Sequence, residues 1–273
     1  MRIGIAVLPT HRSIDVAVLA ARAEELGFES LWAPEQPTLP VETVQDIPRA
    51  WGDIVDPFVM LARASGVTTS LKLGTAVVVV PEHSPISLAK RAASLDAYSG
   101  GRFLFGIGVG SHPEEAALLG SDFPKRWTQA REAVAAMKEL WTREQSEFHG
   151  RYYSFPPVYS YPKPVQRPHP PLLLGSKSPR SFRRIVEWGD GWLPIGVTPD
   201  QVSEGRATLD RLCDAAGRDP SSIEISVVDV PADLDVVRTY AEAGASRVIV
   251  GMPEEPEGPS LNRLERIAAA VVR

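Results

Sequence analysis

Two hydrophobic periods alternate along the chain. Short continuous apolar runs, as expected of strands buried on both faces, lie at 2–8, 30–35, 71–80, 102–110, 172–174, 191–196, 223–228 and 246–251. Each is followed by a segment whose apolar residues recur at helical spacing: 14–27, 57–67, 84–101, 129–141, 179–189, 199–217, 234–244 and 260–272. Local chemistry supports several boundaries. Asp56–Pro57, Ser84–Pro85 and Ser178–Pro179 have the N-cap and first-turn residues of a helix start, and Gly27, Gly100 and Gly217 stand where helices stop. Eight strand–helix units in 273 residues predict an α/β fold, a (β/α)8 barrel, rather than a doubly wound sheet. The expected organisation is one domain over 1–273 with an insertion, 143–171, before strand five. That stretch has no long periodic segment, yet it carries Phe148, Tyr152, Tyr153, Phe155, Tyr159 and Tyr161. It reads as an ordered insertion packed over one end of the barrel, its aromatics either lining a pocket or anchoring the loop.

Composition narrows the class. Hydrophobic content of 44% suits a globular protein with a sizeable core. A net charge of −5 without a basic tail argues against nucleic acid as a partner. The one cysteine, Cys213, falls in a predicted helix, so neither a disulfide framework nor a Cys-based zinc site is expected. No apolar run is long enough to span a bilayer, and the first run reads as a strand rather than a signal peptide. A cytoplasmic location follows as the expectation.

Barrel enzymes build their sites from loops at the C-terminal ends of strands. The residues predicted there are Thr10 and His11; Glu35 and Gln36; 77–80 with Pro81, Glu82 and His83; Gly108, Gly110, Ser111 and His112; the turn 175–178; and Trp192. The turn stands out. Leu172, Leu173 and Leu174 stop at Gly175, Ser176, Lys177 and Ser178, and a helix predicted from Pro179 follows with Arg180, Arg183 and Arg184. Free N–H groups at a helix start, together with these cations, describe either a phosphate site or an ordinary strand–helix corner. The Walker order Gly-Lys-Ser/Thr is absent. GIGVGS (106–111) lacks the third glycine of a dinucleotide fingerprint, and no helix is predicted directly after it. Glu35, Glu82 and His83 are the one set that spatial proximity would make metal-like; no His-x-His or His-Glu-x-x-His spacing occurs. Ser111–His112 lacks the glycine order of a hydrolase elbow. A mouth of glycines, apolar strand ends, aromatics and one anion turn suits a flat aromatic cofactor with a phosphate tail.

Several stretches resemble a known family. AEELGFESLWAPEQ, LKLGTAVVVVPEHSPISLAKRAASLDAYSGGRFLFGIGVG, EEAALLGSDFPKRWTQAREAVAAMKELW, FHGRYYSFPPV, PKPVQRPHPPLLLGSKS and GDGWLP are similar to luciferase-like monooxygenases, particularly the branch using the deazaflavin coenzyme F420. The resemblance covers most of 1–195 and implies a (β/α)8 barrel with an insertion before strand five. It implies that Ala76 and Val77 form a bulge in strand three, often with a cis peptide, that backs the cofactor ring. It further implies that Gly108 and Gly110 approach the cofactor and that Gly175, Ser176, Lys177 and Ser178 hold its phosphate, overriding the general preference of barrels for strands seven and eight. Two positions depart from the pattern. Gln36 stands where many relatives have histidine, and a glutamine does not ionise. Ser176 replaces the second glycine of the phosphate turn. The implied activity is hydride transfer between the deazaflavin C5 and a small or medium organic substrate, with Glu35, Gln36, His83 and His112 as the candidate substrate-orienting or proton-handling residues. The alternatives are an FMN-dependent monooxygenase of the same family and a non-catalytic flavin-binding protein. The expected partner is a small molecule, with neither nucleic acid nor membrane, and a homodimer is a possible assembly.

Overall fold

The computed structural model describes residues 1–43 and 48–272. In chain order its elements are β1 (Arg2–Val7), α1 (Val16–Glu25), β2 (Ser30–Ala33), α2 (Pro57–Ser65), β3 (Lys72–Thr75), β4 (Val78–Val79), α3 (Pro85–Tyr98), β5 (Phe103–Gly108), α4 (Pro113–Leu118) and α5 (Arg126–Thr142). A hairpin of β6 (Gln145–His149) and β7 (Ser154–Tyr159) follows, then β8 (Leu172–Leu174), α6 (Arg180–Trp188), β9 (Gly191–Trp192), α7 (Pro199–Ala216), β10 (Glu224–Val228), α8 (Leu234–Glu242), β11 (Arg247–Met252) and α9 (Glu257–Val271). All strands except the hairpin pair are parallel. They close a ring in the order β1, β2, β3 with β4, β5, β8, β9, β10 and β11, which returns to β1. This is the eight-stave (β/α)8 barrel that the alternation predicts.

Two apolar layers hold it. Between strands and helices lies the large outer core, including Leu31, Phe103, Phe105, Met137, Leu172 and Ile225, all essentially inaccessible to solvent. Inside the ring, Trp32, Leu104, Leu173, Leu193, Val228 and Ile249 form a second cluster, against which Ala6, Ala76 and Val77 pack. The third stave is interrupted. Leu73 and Gly74 of β3 oppose Phe103 and Leu104, whereas Val78 and Val79 of β4 oppose Ile107 and Gly108. Three residues therefore face two, a bulge at Thr75, Ala76 and Val77. The Ala76–Val77 peptide is cis. Deeper in the ring Arg247 is fully buried, with Nε and Nη2 each 2.7 Å from a Glu29 carboxylate oxygen and Nη1 2.7 Å from Ser226 Oγ. Burial opposes ionisation of Glu29, but the Arg247 bonds outweigh it and hold this carboxyl down at about 2.

Some boundaries differ from the expectation. Asp56 caps α2 by accepting from Val59 N, and Gly217 ends α7 in the left-handed region. Ser84 sits at the N-cap position of α3, but its side chain makes no capping bond. α6 begins at Arg180, one residue later than expected; Pro179 occupies the N-cap position, and Ser178 Oγ accepts from Arg180 N at 3.4 Å. α5 and α9 start three residues ahead of their apolar periods, at Arg126 and Glu257. A short helix, α4, does follow the glycine strand directly.

The insertion is ordered, but it does not roof the mouth. Its hairpin lies along α5: Tyr152 N and Tyr153 N donate to Glu132 Oε1, Ser146 Oγ donates to Glu139 O, and Phe148 stacks on buried Phe155. The chain then passes the N-terminal end of β5, where Gln166 Nε2 donates to Phe103 O and Asp96 Oδ1. The six aromatics are anchors or surface residues. Tyr152 O–H reaches Asp122, Tyr153 O–H pairs with Gln129, and Tyr159 and Tyr161 are exposed.

Candidate active site

At the C-terminal end of the ring the strand ends and following loops enclose a cavity of about 790 Å3, within the range of small-molecule sites. Its apolar wall consists of Ala76, Val77, Val79, Val109 and Leu193. Gly108, Gly110 and Gly175 expose backbone there. A Cβ on Gly108 or Gly175 would stand 2.6 or 2.7 Å from a Val77 methyl, so both glycines are required by the bulge itself. Gly110 has φ +75°. Of the predicted cofactor residues, Ala76, Val77, Gly108, Gly110, Gly175, Ser176, Lys177 and Ser178 all line this one cavity.

The turn after β8 is set by side chains. Ser176 O accepts from Trp192 Nε1 at 2.7 Å, and Ser176 Oγ accepts from Ser181 Oγ at 2.6 Å and from Ser178 N at 3.1 Å. Trp192 is the strand-six residue; it holds the turn from behind instead of lining the cavity. Among the described residues, no hydrogen bond is made by Ser176 N or Lys177 N. Two backbone donors therefore remain beside the start of α6, as an anion site needs. Lys177 Nζ lies 3.3 Å from Gly196 O. Arg180 and Arg184, one helical turn apart, line the cavity with Lys125 and Arg126. Arg184 lies over the Trp127 ring at 4.5 Å, and burial lowers its pKa. Arg126 lies over Phe123 at 4.0 Å. A cationic rim thus faces an opening in a protein of net charge −5.

The candidate proton-handling residues fall into two clusters. In one, Glu35 is held by Val79 N at 2.7 Å and by His83 Nε2, 3.0 Å from both carboxylate oxygens. His83 Nδ1 accepts from Arg91 Nη2 at 2.9 Å. The arginine supplies only donors, so neutral His83 carries its proton on Nε2, directed at Glu35. Glu35 lines the cavity; His83 does not, and its place is behind Glu35. In the other cluster, Gln36 Nε2 donates to both oxygens of Glu115 at 2.8 Å, and Glu115 Oε2 lies 3.5 Å from His112 Nδ1. Gln36, His112 and Glu115 all line the cavity.

Glu82 joins neither. Its Oε1 lies under Gly110, within 3.1 Å of where a Cβ would sit, and its buried Oε2 has no hydrogen-bond partner. Burial, with the nearby Glu115 and Glu35 carboxylates, pushes Glu82 up to about 8, so it is neutral at pH 7. Glu35 and His83 do meet as expected, but among the described residues no group of three such ligands is arranged to hold a metal ion. Thr10 and His11 lie away from the cavity, and Thr10 Oγ1 donates to Glu254. Trp51, Trp127, Lys125, Arg126 and Glu115 are lining residues that periodicity does not reveal. The linear signal nearest to them is RW at 126–127, just ahead of the apolar period of α5.

Comparison with known proteins places this geometry. The family model described as luciferase-like monooxygenase matches residues 1–268. An uncharacterized protein of Mycobacterium tuberculosis is 36% identical over 282 residues, covering 98% of each chain. A putative coenzyme F420-dependent oxidoreductase of the same organism is 30% identical over 205 residues, which is 71% of this chain and 54% of that one. The solved monooxygenase RslO1 of Streptomyces bottropensis superposes with a TM-score of 0.80 at 22% identity, covering 100% of this chain and 99% of that one.

Proposed function

The chain belongs to the luciferase-like monooxygenase family, and from that premise we propose that it is a coenzyme F420-dependent oxidoreductase acting on a small or medium organic substrate. One observation carries the choice of cofactor. The cavity joins a flat apolar wall at Ala76 and Val77 to a rim of five cations, Lys125, Arg126, Lys177, Arg180 and Arg184. A tricyclic ring suits the wall, and a phosphate with an acidic extension suits the rim. The relative that bears the F420-dependent name, similar over 71% of this chain, supports the same reading.

When bound, the deazaflavin supplies hydride transfer at its ring C5. The protein's own residues do the rest. Ala76, Val77, Gly108 and Gly110 bear on the ring, and the turn 175–178 receives the phosphate through the Ser176 and Lys177 N–H groups. Glu35, presented by His83, and the Gln36–Glu115–His112 cluster orient the substrate and handle its proton. Trp51 and Trp127 narrow the mouth and limit access of water.

Two other readings each have an observation behind them. The monooxygenase description of the family model favours a reduced flavin such as FMN with oxygen. Gln36, in place of an ionisable histidine, favours binding without catalysis. Fluorescence titration of the apo-protein with F420 and with FMN in one buffer, followed by turnover assays over a substrate panel, separates all three. Tighter binding of F420 with turnover is the expected result. A lower dissociation constant for FMN moves the protein to the monooxygenase branch, and binding without turnover makes it a cofactor-binding protein.

A further inference from the structure

We propose that His112 is the group that gives and takes the proton in this pocket, and that Glu115, clamped by Gln36, is its positioning residue; this deepens the oxidoreductase reading above and rests on it. Glu115 is the key. It comes from the first turn of α4, and the residue is only 2% exposed. Three contacts fix it. Gln36 Nε2 spans both oxygens at 2.8 Å and also reaches Thr38 O, while Thr38 N donates to Oε1 at 3.1 Å. Oε2 also faces His112 Nδ1, at 3.5 Å.

A buried carboxylate fixed in this way selects one form of the imidazole beside it. It places the proton on Nδ1 and leaves Nε2 to exchange protons, as the orienting acid does in other histidine-based sites. Nε2 is then the exchanging atom, with Ser111 Oγ at 3.4 Å. As a substrate carbon gains the hydride, its heteroatom takes the Nε2 proton through a new O–H or N–H bond. The imidazolium returns to neutral imidazole and recovers a proton from solvent. The reverse direction runs the same transfer backwards. Glu82 adds no second negative charge, because it stays neutral beneath Gly110.

The arrangement accounts for Gln36. The amide shares one N–H between the two carboxylate oxygens and gives the other to Thr38 O, so this position here fixes Glu115 rather than ionising. The ionisable ring is supplied instead by the loop after β5. His83 does not compete for the role. Its Nδ1 is occupied by Arg91 and its Nε2 proton by Glu35, and it lies outside the cavity lining.

The two histidines are therefore assigned opposite tautomers, and that is measurable without a substrate. Long-range 1H–15N correlation spectra of the full-length protein with labelled histidine, recorded where the imidazoles are neutral, should show His112 protonated on Nδ1 and His83 on Nε2. His112→Gln and His83→Gln assign the signals. Glu115→Leu should return His112 to the Nε2–H form, and Gln36→Leu should shift it in the same direction, so the clamp is tested even where Glu115→Leu fails to fold. Saturating F420 or FMN should move the His112 signals. His112→Gln should bind cofactor within about threefold of the parent while turnover falls by roughly a hundredfold or more, the usual scale for a lost general acid. An Nε2–H His112 in the parent, a tautomer indifferent to both leucine variants, or His112 signals unmoved by bound cofactor would overturn the proposal. If neither cofactor binds, the oxidoreductase reading falls and the catalytic role of His112 falls with it, whereas the tautomer result judges the clamp alone.

Discussion

Glu82 makes the sharpest claim on stability. Its carboxyl is pushed from 4.5 to about 8, first by burial and then by Glu115 and Glu35. The folded protein therefore holds a proton that the unfolded chain releases above its ordinary carboxyl range. Stability follows the difference in bound protons, so the contribution is intact below about pH 4.5 and is lost as pH rises toward 8, then levels off. At about 1.4 kcal/mol per pKa unit, the full loss approaches 5 kcal/mol, of which roughly 3–4 kcal/mol falls between pH 5 and pH 8. Glu82→Gln keeps the shape and removes the ionisation. Both forms leave a polar group without a partner at this position, so the difference lies in the pH slope more than in absolute stability. Thermal melts of parent and variant from pH 5 to 8 should diverge, the parent losing roughly 5–10 °C more than the variant over that range. Glu115→Gln, by removing one of the two charges that press on Glu82, should reduce the parent's slope part of the way. Parallel melting curves for parent and Glu82→Gln would show that the carboxyl ionises freely and that the burial argument is wrong.

Three further outcomes follow from named contacts. Lys177→Ala should weaken cofactor binding roughly two- to tenfold, an effect that added salt shrinks, because the lysine contributes screened charge at the rim; Gly175→Val should cost more, since its Cβ would stand 2.7 Å from Val77 Cγ1, and parent-like titrations for both would move the phosphate elsewhere. Arg247→Met removes the buried partner of Glu29, which is half-buried and keeps Lys72 Nζ at 3.3 Å, and should cost about 1–3 kcal/mol in urea unfolding; no measurable loss would show that the pair contributes nothing to the fold. Limited proteolysis should cut within 143–171, if anywhere, and leave the fragments associated and cofactor-competent, as expected of one cooperative domain; two fragments that fold separately would refute that expectation.

The barrel itself was legible in the linear pattern, because a strand buried on both faces and a helix with one apolar stripe are local statements that the chain makes repeatedly. Asp56 and Gly217 were legible for the same reason, since a cap bond spans three residues and a left-handed stop only one. Ser84 and Ser178 carried the same chemistry, yet Ser84 makes no capping bond and Ser178 reaches Arg180 N from one position ahead of the N-cap. The turn 175–178 and the bulge at Ala76 and Val77 could be named from resemblance, but only closure of the ring puts them on one cavity. The insertion's aromatics left two readings open in the sequence, pocket lining and loop anchoring. Packing decided for anchoring against α5 and one another, and left Tyr159 and Tyr161 exposed. Glu115 shows the limit most clearly. Nothing in the sequence separates it from Glu114. The fold places it beside Gln36, 79 residues back in the chain, and that contact decides which carboxylate is clamped at the cavity and which ring nitrogen of His112 faces it. Burial and charge coupling act through space, so the residues able to perform chemistry were written in the sequence, while their protonation and pairing were decided by the tertiary structure.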